Sequence, residues 1–277
     1  ALEGFRALGE RQNSAVTMMN LAAFIVRKGQ FEQAQAYYDE ALAVFQEMNV
    51  RQVEGVCLGN IATLYRRLGR HHDALEVMTK ALAISREIGD RSSECVQLTN
   101  LSNVYKEEGQ VDRGKACAEL AISIARELDN RYFETVNLGN LAGYYEGDGL
   151  WPQALEFRRE SLRISRELGN RLTEAICLGN MGNIFEQQGD LDAAESHVRQ
   201  SIAITEGEWG VPTGAFRASL AVIRAKKGEL DEARALFESA ESLLKGAHMP
   251  GYLEVLCKKA QIEHEAGHFK DAARALA

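Results

Sequence analysis

Proline is scarce, with three residues in 277, and aromatic side chains make up only 7% of the chain. With so few helix breakers, 45% hydrophobic and 26% charged residues give a soluble, helix-leaning composition rich in Ala, Leu, Glu and Arg. A basic excess is also missing: 32 Lys and Arg stand against 40 Asp and Glu, a formal charge of −8. Proteins that neutralise phosphates carry a basic surplus or stripe, so nucleic acid is excluded as a general partner. The longest apolar runs, such as Leu21 to Val26, are about six residues, whereas a bilayer-spanning helix needs roughly 20. No membrane role is expected. Five cysteines, none in a C-x-x-C pair, suggest neither a disulfide framework nor a zinc site, and fit a reducing, cytoplasmic setting. Position 1 is Ala, and no charged-then-apolar leader follows it.

Glycine, by contrast, is placed with regularity. Gly29, Gly69, Gly109, Gly149, Gly189, Gly228 and Gly267 recur at intervals of 40, 40, 40, 40, 39 and 39, which makes the chain a repeat array. Around each glycine the apolar residues show helical spacing. Leu58, Ile61, Ala62 and Tyr65 recur at i, i+3, i+4 and i+7 before Gly69, and Ala74, Met78 and Ala81 follow it with the same kind of spacing. Each unit therefore reads as helix, glycine turn, helix, with the small alanines admitting close antiparallel packing. Between units, Gly89-Asp90-Arg91 and Gly169-Asn170-Arg171 place a helix-ending glycine before an N-cap side chain, and Asp129-Asn130-Arg131 varies the theme. First helices are predicted at roughly 12–28, 51–68, 91–108, 131–148, 171–188, 212–227 and 251–266. Residues 1–277 thus form a single domain of about seven repeats. Ala1 to Leu8 matches a second helix of a preceding unit and Ala277 stops partway through another, so the expectation is a piece excised from a longer chain.

The large residue Leu58, the small Ala62, the aromatic Tyr65, the turn Gly69 and the alanines Ala74 and Ala81 fall where the tetratricopeptide consensus wants them, and the pattern covers the whole chain. The sequence therefore resembles tetratricopeptide repeat proteins. It departs from their usual form in a unit of about 40 residues, in lacking the closing proline, and in a Leu-Gly-Asn triplet at residues 58–60, 138–140 and 178–180. Those departures resemble the long-repeat arrays of kinesin light chains, Leu-Gly-Asn adaptors and the arms of bacterial ATPase and transcriptional regulators. The implied fold class is all-α, a right-handed superhelical α-solenoid of helix–turn–helix repeats. In the first two groups the resemblance implies capture of extended peptides by first-helix asparagines.

Asn20, Asn60, Asn100, Asn140 and Asn180 stand 40 residues apart. At about 100° per residue Asn60 points roughly 180° away from the core direction set by Leu58, Ile61, Ala62 and Tyr65. Stacking is expected to line one concave groove with these amides, whose paired donor and acceptor suit the backbone of an extended peptide. The competing reading is that they are relics of duplication or bond a neighbouring helix. One turn on, the series Ala23, Thr63, Asn103, Gly143, Asn183 has drifted, adding Asn103 and Asn183 to the candidate groove. Arg27 and Arg67, with Arg66, would favour an acidic portion of the ligand near the early repeats, ahead of Glu107, Gln187 and Lys226; solvated surface charge is the bland alternative. Gly59, Gly139 and Gly179 admit close approach, either of a ligand or of another helix. In the later units Trp209, Gly210, Pro212 and Gly214 replace the usual junction, and Ser219 stands where another Asn was due.

A second series, Arg11, Arg51, Arg91, Arg131 and Arg171, opens the first helices, where a cation opposes the helix dipole. Glu47, Glu87, Glu127 and Glu167 each lie four residues before one of these arginines, so loop-bridging contacts to these carboxylates or to helix-end carbonyls are expected, in preference to ligand binding. No catalytic or metal site emerges. His264 and His268 lack a third ligand and straddle a turn, and neither a phosphate-binding loop nor a nucleophile elbow is present. Tyr65, Tyr105, Tyr145 and Phe185 belong to the core face, and Cys57 and Cys177 read as small buried hydrophobes. The sequence predicts a non-catalytic, cofactor-free scaffold that binds a protein or peptide segment. The alternative is a sensor or regulatory arm, holding a neighbouring domain of a bacterial signalling ATPase or transcriptional regulator.

Overall fold

A computed structural model describes residues 10–275. Contacts divide the chain at Tyr144–Tyr145 into two compact units. Unit 1 contains α1 (Arg11–Arg27), α2 (Phe31–Glu47), α3 (Arg51–Arg67), α4 (His71–Glu87), α5 (Arg91–Glu107), α6 (Val111–Glu127) and most of α7 (Arg131–Gly147). Unit 2 contains the last turn of α7, then α8 (Trp151–Glu167), α9 (Arg171–Gln187), α10 (Leu191–Thr205), α11 (Gly210–Lys226), α12 (Leu230–Leu244), α13 (Met249–Glu265) and α14 (Phe269–Ala275). The described residues contain no strand. The expectation for Ala1 to Leu8 lies outside the described residues.

The helix ends follow from turn chemistry. After α3, Gly69 adopts φ +71°, the Arg70 N–H reaches the Tyr65 carbonyl at 2.9 Å, and the Gly69 N–H reaches Arg66 at 3.0 Å. This Schellman arrangement needs a left-handed residue just past the helix, which glycine adopts without penalty. Asn49 (φ 54°) and Asp129 (φ 51°) take the same conformation at two other junctions. The predicted N-caps form: the Asp90 carboxylate accepts from the Ser93 N–H at 2.9 Å and the Asn170 side chain from Thr173 at 3.1 Å.

In unit 1 the core runs through Met18, Phe45, Leu64, Met78, Leu98 and Ile124, all below 2% exposed. In unit 2, Ile164, Ile184, Ile223, Phe237 and Leu244 play the same part. Burying each such side chain stabilises by about 1.5–3 kcal/mol relative to leaving it in water.

The arginine series corrects the expected pairing. Arg11 reaches Glu47, Arg51 reaches Glu87 and Arg91 reaches Glu127, each 36 residues onward and none to the glutamate four residues before it. Antiparallel packing within one hairpin sets the start of the first helix beside the end of the second, so the carboxylate of the same repeat is the nearer one. Four of the first helices, α3, α5, α7 and α9, also carry an unpredicted buried glutamate three residues after their arginine: Glu54, Glu94, Glu134 and Glu174. Glu94, Glu134 and Glu174 are gripped from two sides. Arg91, Arg131 and Arg171 bond one carboxylate oxygen, and Arg86, Arg126 and Arg166 donate Nε to the other at 2.8, 2.7 and 2.9 Å. Burial pushes the Glu94 carboxyl up, but the hydrogen bonds from Arg86 and Arg91 outweigh it and hold it below the usual range.

Candidate functional site

The asparagines occupy equivalent places on successive first helices. In unit 1, Asn20 is exposed and Asn60, Asn100, Asn103 and Asn140 are half-buried; in unit 2, Asn180 and Asn183 are half-buried. None of the seven side chains makes a hydrogen bond to the described residues, and Nδ2 of Asn140 is fully covered with no partner. A covered amide without a partner costs free energy on the order of 1–3 kcal/mol. These side chains therefore do not hold neighbouring helices together by hydrogen bonds.

Beside the asparagines runs a row that the sequence reading missed. Val16, Val56, Val96, Val136 and Ile176 each sit four residues before an asparagine and so share its helix face. Val56 is 39% and Ile176 38% exposed. Their recurrence at 40 residues was the available signal, masked because a lone exposed valine is unremarkable in a helix.

Close approach at the glycines comes from helix packing. A Cβ at Gly59 would stand 2.8 Å from the Gln97 amide, and one at Gly179 would stand 2.1 Å from the Phe216 ring. Glycine stands there because the next first helix delivers a large side chain to that spot.

In unit 2 the asparagines line an actual opening. Asn183, Glu186 and Gln187 of α9, Ser219, Val222 and Lys226 of α11, and Lys258, Gln261, Ile262 and Glu265 of α13 enclose a cleft of about 370 Å³. A smaller hollow of about 130 Å³ shares Asn183, Ser219 and Lys258 and adds Asn180 and Glu254. Lys226 pairs with Glu186, Lys258 with Glu254 at 2.7 Å, and the Gln261 amide donates to Glu265 at 2.8 Å. With these charges matched locally, the amides of Asn180 and Asn183 remain as uncommitted hydrogen-bonding groups. Ser219 thus lines the same cleft where the asparagine series stops.

Arg27 and Arg67 close α1 and α3, are exposed, and form no ion pair with the described residues. Of the other charges expected on this face, Arg66 lies 3.5 Å from Glu107, which the His71 ring also approaches at 3.3 Å.

The aromatic series serves packing. Tyr65 accepts the Gln35 amide at 3.1 Å under the Arg70 guanidinium, Tyr145 stacks on Phe157 at 5.3 Å, and Phe185 rests on the His197 ring at 4.9 Å. Burial pushes the Cys57 thiol up to about 12 and also raises Cys95, Cys117 and Cys177, which disfavours thiolate chemistry there. His268 faces Glu263 at 3.1 Å and Arg234 at 2.8 Å. No described helix is long and apolar enough to cross a membrane.

Against known proteins, a family model described as MalT-like TPR region matches residues 100–277, and a tetratricopeptide repeat model matches 13–87. No curated protein matches the chain in sequence. Among solved structures, aspartyl phosphate phosphatase F from Bacillus subtilis is 13% identical, with a TM-score of 0.77 over 99% of this chain and 72% of that one. NprR in complex with its cognate peptide NprX is 17% identical, with a TM-score of 0.71 over 95% and 77%. A STAND signal transduction ATPase with a tetratricopeptide repeat sensor, from Pyrococcus horikoshii, is 17% identical at a TM-score of 0.70. It is matched over 96% of this chain but only 39% of its own length. At these identities the likeness is one of fold.

Proposed function

The chain belongs to the MalT-like tetratricopeptide repeat family, whose model spans residues 100–277, and on that premise we propose a non-catalytic scaffold that binds an extended segment of a protein partner along its first-helix face. One observation carries the reading: the side-chain amides of seven first-helix asparagines, Asn20, Asn60, Asn100, Asn103 and Asn140 in unit 1 and Asn180 and Asn183 in unit 2, have no hydrogen-bond partner among the described residues. An amide offers one acceptor and two donors, which suits a peptide backbone whose own N–H and C=O groups must be satisfied. The flanking row of Val56 and its equivalents supplies apolar contact, and Arg27 and Arg67 favour an acidic portion of the ligand near α1 and α3. The similarity to a fold-mate solved with a peptide, NprR with NprX, supports the same reading.

The test compares proteins retained from a lysate of the source cell by the wild-type chain and by Asn60→Ala/Asn100→Ala/Asn140→Ala. Loss of a specific partner with an unchanged melting temperature supports peptide capture. Equal recovery by both would overturn it.

A second reading is favoured by the similarity to the STAND sensor: the array is the sensing arm of a multidomain signalling ATPase or transcriptional regulator, and the segment it holds belongs to a neighbouring domain. A nucleotide-binding or DNA-binding domain in the same gene product distinguishes this arm from a free-standing adaptor.

A further inference from the structure

Unit 1 carries an opening on the side formed by its second helices, separate from the asparagine face. The cleft, about 410 Å³, lies between α2 and α4 over α3. Leu42, Leu58, Ile61, Val77 and Ile84 give it an apolar floor, and Asp39, Gln46 and Glu54 stand among its polar groups.

The repeats explain why it opens here. At Glu94, Glu134 and Glu174 the second grip comes from Arg86, Arg126 and Arg166. The residue in register before Glu54 is Gln46, a shorter and uncharged side chain whose Nε2 reaches Glu54 Oε1 at 3.3 Å. Glu54 is 6% exposed and retains one arginine, Arg51, at 2.7 Å. It therefore carries one fewer cation than its three counterparts. Asp39 lines the same cleft, is exposed, has no ion-pair partner among the described residues, and has its carboxyl raised by partial burial.

We propose that this cleft is a docking site for a partner polypeptide that inserts an arginine flanked by aliphatic residues, its guanidinium meeting Glu54 and Asp39 where the other repeats supply their own arginine. The three internal counterparts show that a buried carboxylate of this array accommodates two guanidinium groups at once. Arginine is preferred to lysine because those contacts run through Nε of a planar fork, which an ammonium cannot reproduce. Gln46 is exposed on its helix and can swing aside, and the aliphatic neighbours of the incoming arginine cover the apolar floor. The formal charge of −8 attracts a basic segment.

Titration of the ¹⁵N-labelled full chain with acetyl-Leu-Arg-Leu-amide, followed by amide chemical shifts, tests the site. Shifts confined to α2, α3 and α4 are expected, at least about fivefold weaker binding of acetyl-Leu-Gln-Leu-amide, and weakened binding by Asp39→Asn. Gln46→Arg installs the clamp already present in three other repeats, so it is expected to abolish binding while keeping or raising the melting temperature. The idea is overturned if the Gln peptide binds equally, if Gln46→Arg binds as wild type does, or if no shift appears at α2–α4. Ethylguanidinium binding as tightly as the tripeptide would likewise reject a polypeptide occupant. Asn60→Ala/Asn100→Ala/Asn140→Ala is expected to bind the arginine peptide normally, so the fate of this site and that of the asparagine face are read separately.

Discussion

At Glu134 a carboxylate that is 2% exposed takes hydrogen bonds from Arg126 and Arg131. Glu134→Gln turns one acceptor oxygen into an NH₂ facing an arginine donor, so an expected loss of about 2 kcal/mol follows from a broken charged hydrogen bond. Urea unfolding of the variant measures it. Glu195 shows the same logic with a pH signature. Hydrogen bonds from Lys227 and Arg199, both at 2.8 Å, hold its carboxyl down at about 2. An unfolded glutamate titrates near about 4.3. The folded pKa is therefore the lower one, so this stabilisation is fully present above about pH 4.3 and is lost as pH falls towards about 2. Melting temperatures of wild type and Glu195→Gln are expected to differ at pH 7 and to draw together as pH falls from about 4.3 towards about 2; a constant difference would reject the assignment. Neither device was read from the sequence. The opening arginines were visible by their 40-residue spacing, but Glu54, Glu94, Glu134 and Glu174 were not singled out, since glutamates are abundant along the chain. Only packing shows that they are buried and that Arg11, Arg51 and Arg91 pair within their own hairpins.

Between elements, the close contacts are settled by size matching across first helices. Gly179→Ala would gain up to about 1 kcal/mol of helix propensity. The new Cβ, however, would fall 2.1 Å from the Phe216 ring, and overpacking of that kind costs about 1–3 kcal/mol. Net destabilisation is expected, and Phe216→Leu should relieve most of it in a double-mutant cycle measured by thermal denaturation. A related exchange stands at Gly114, where the other repeats carry alanine at 34, 74, 154 and 194. A Cβ there would overlap the Tyr144 hydroxyl, which donates to the Ser102 carbonyl in place of the aliphatic Leu64 or Val104 of other repeats. Helix limits were legible because turn glycines and caps are local chemistry: α3, α5 and α9 lie within one residue of the sequence reading. The reason for Gly59 and Gly179 was not legible, since it resides in the side chain that the next helix brings.

Across the molecule, the repeat architecture governs how damage spreads. Within each unit, the helices sharing substantial contact are neighbours in sequence or one apart, so stability is close to a sum of repeat terms and nearest-neighbour interfaces. Such an array opens locally more readily than it unfolds as a whole. Gly179→Val places a larger side chain against Phe216 of α11, so the strain falls on α9, α10, α11 and α12. Hydrogen exchange is expected to rise by at least tenfold in those helices and to remain unchanged in α1 to α5. A uniform rise over all helices would mean that the chain unfolds as one cooperative body, in which case the asparagine face and the arginine cleft could not be probed by substitution as separate sites.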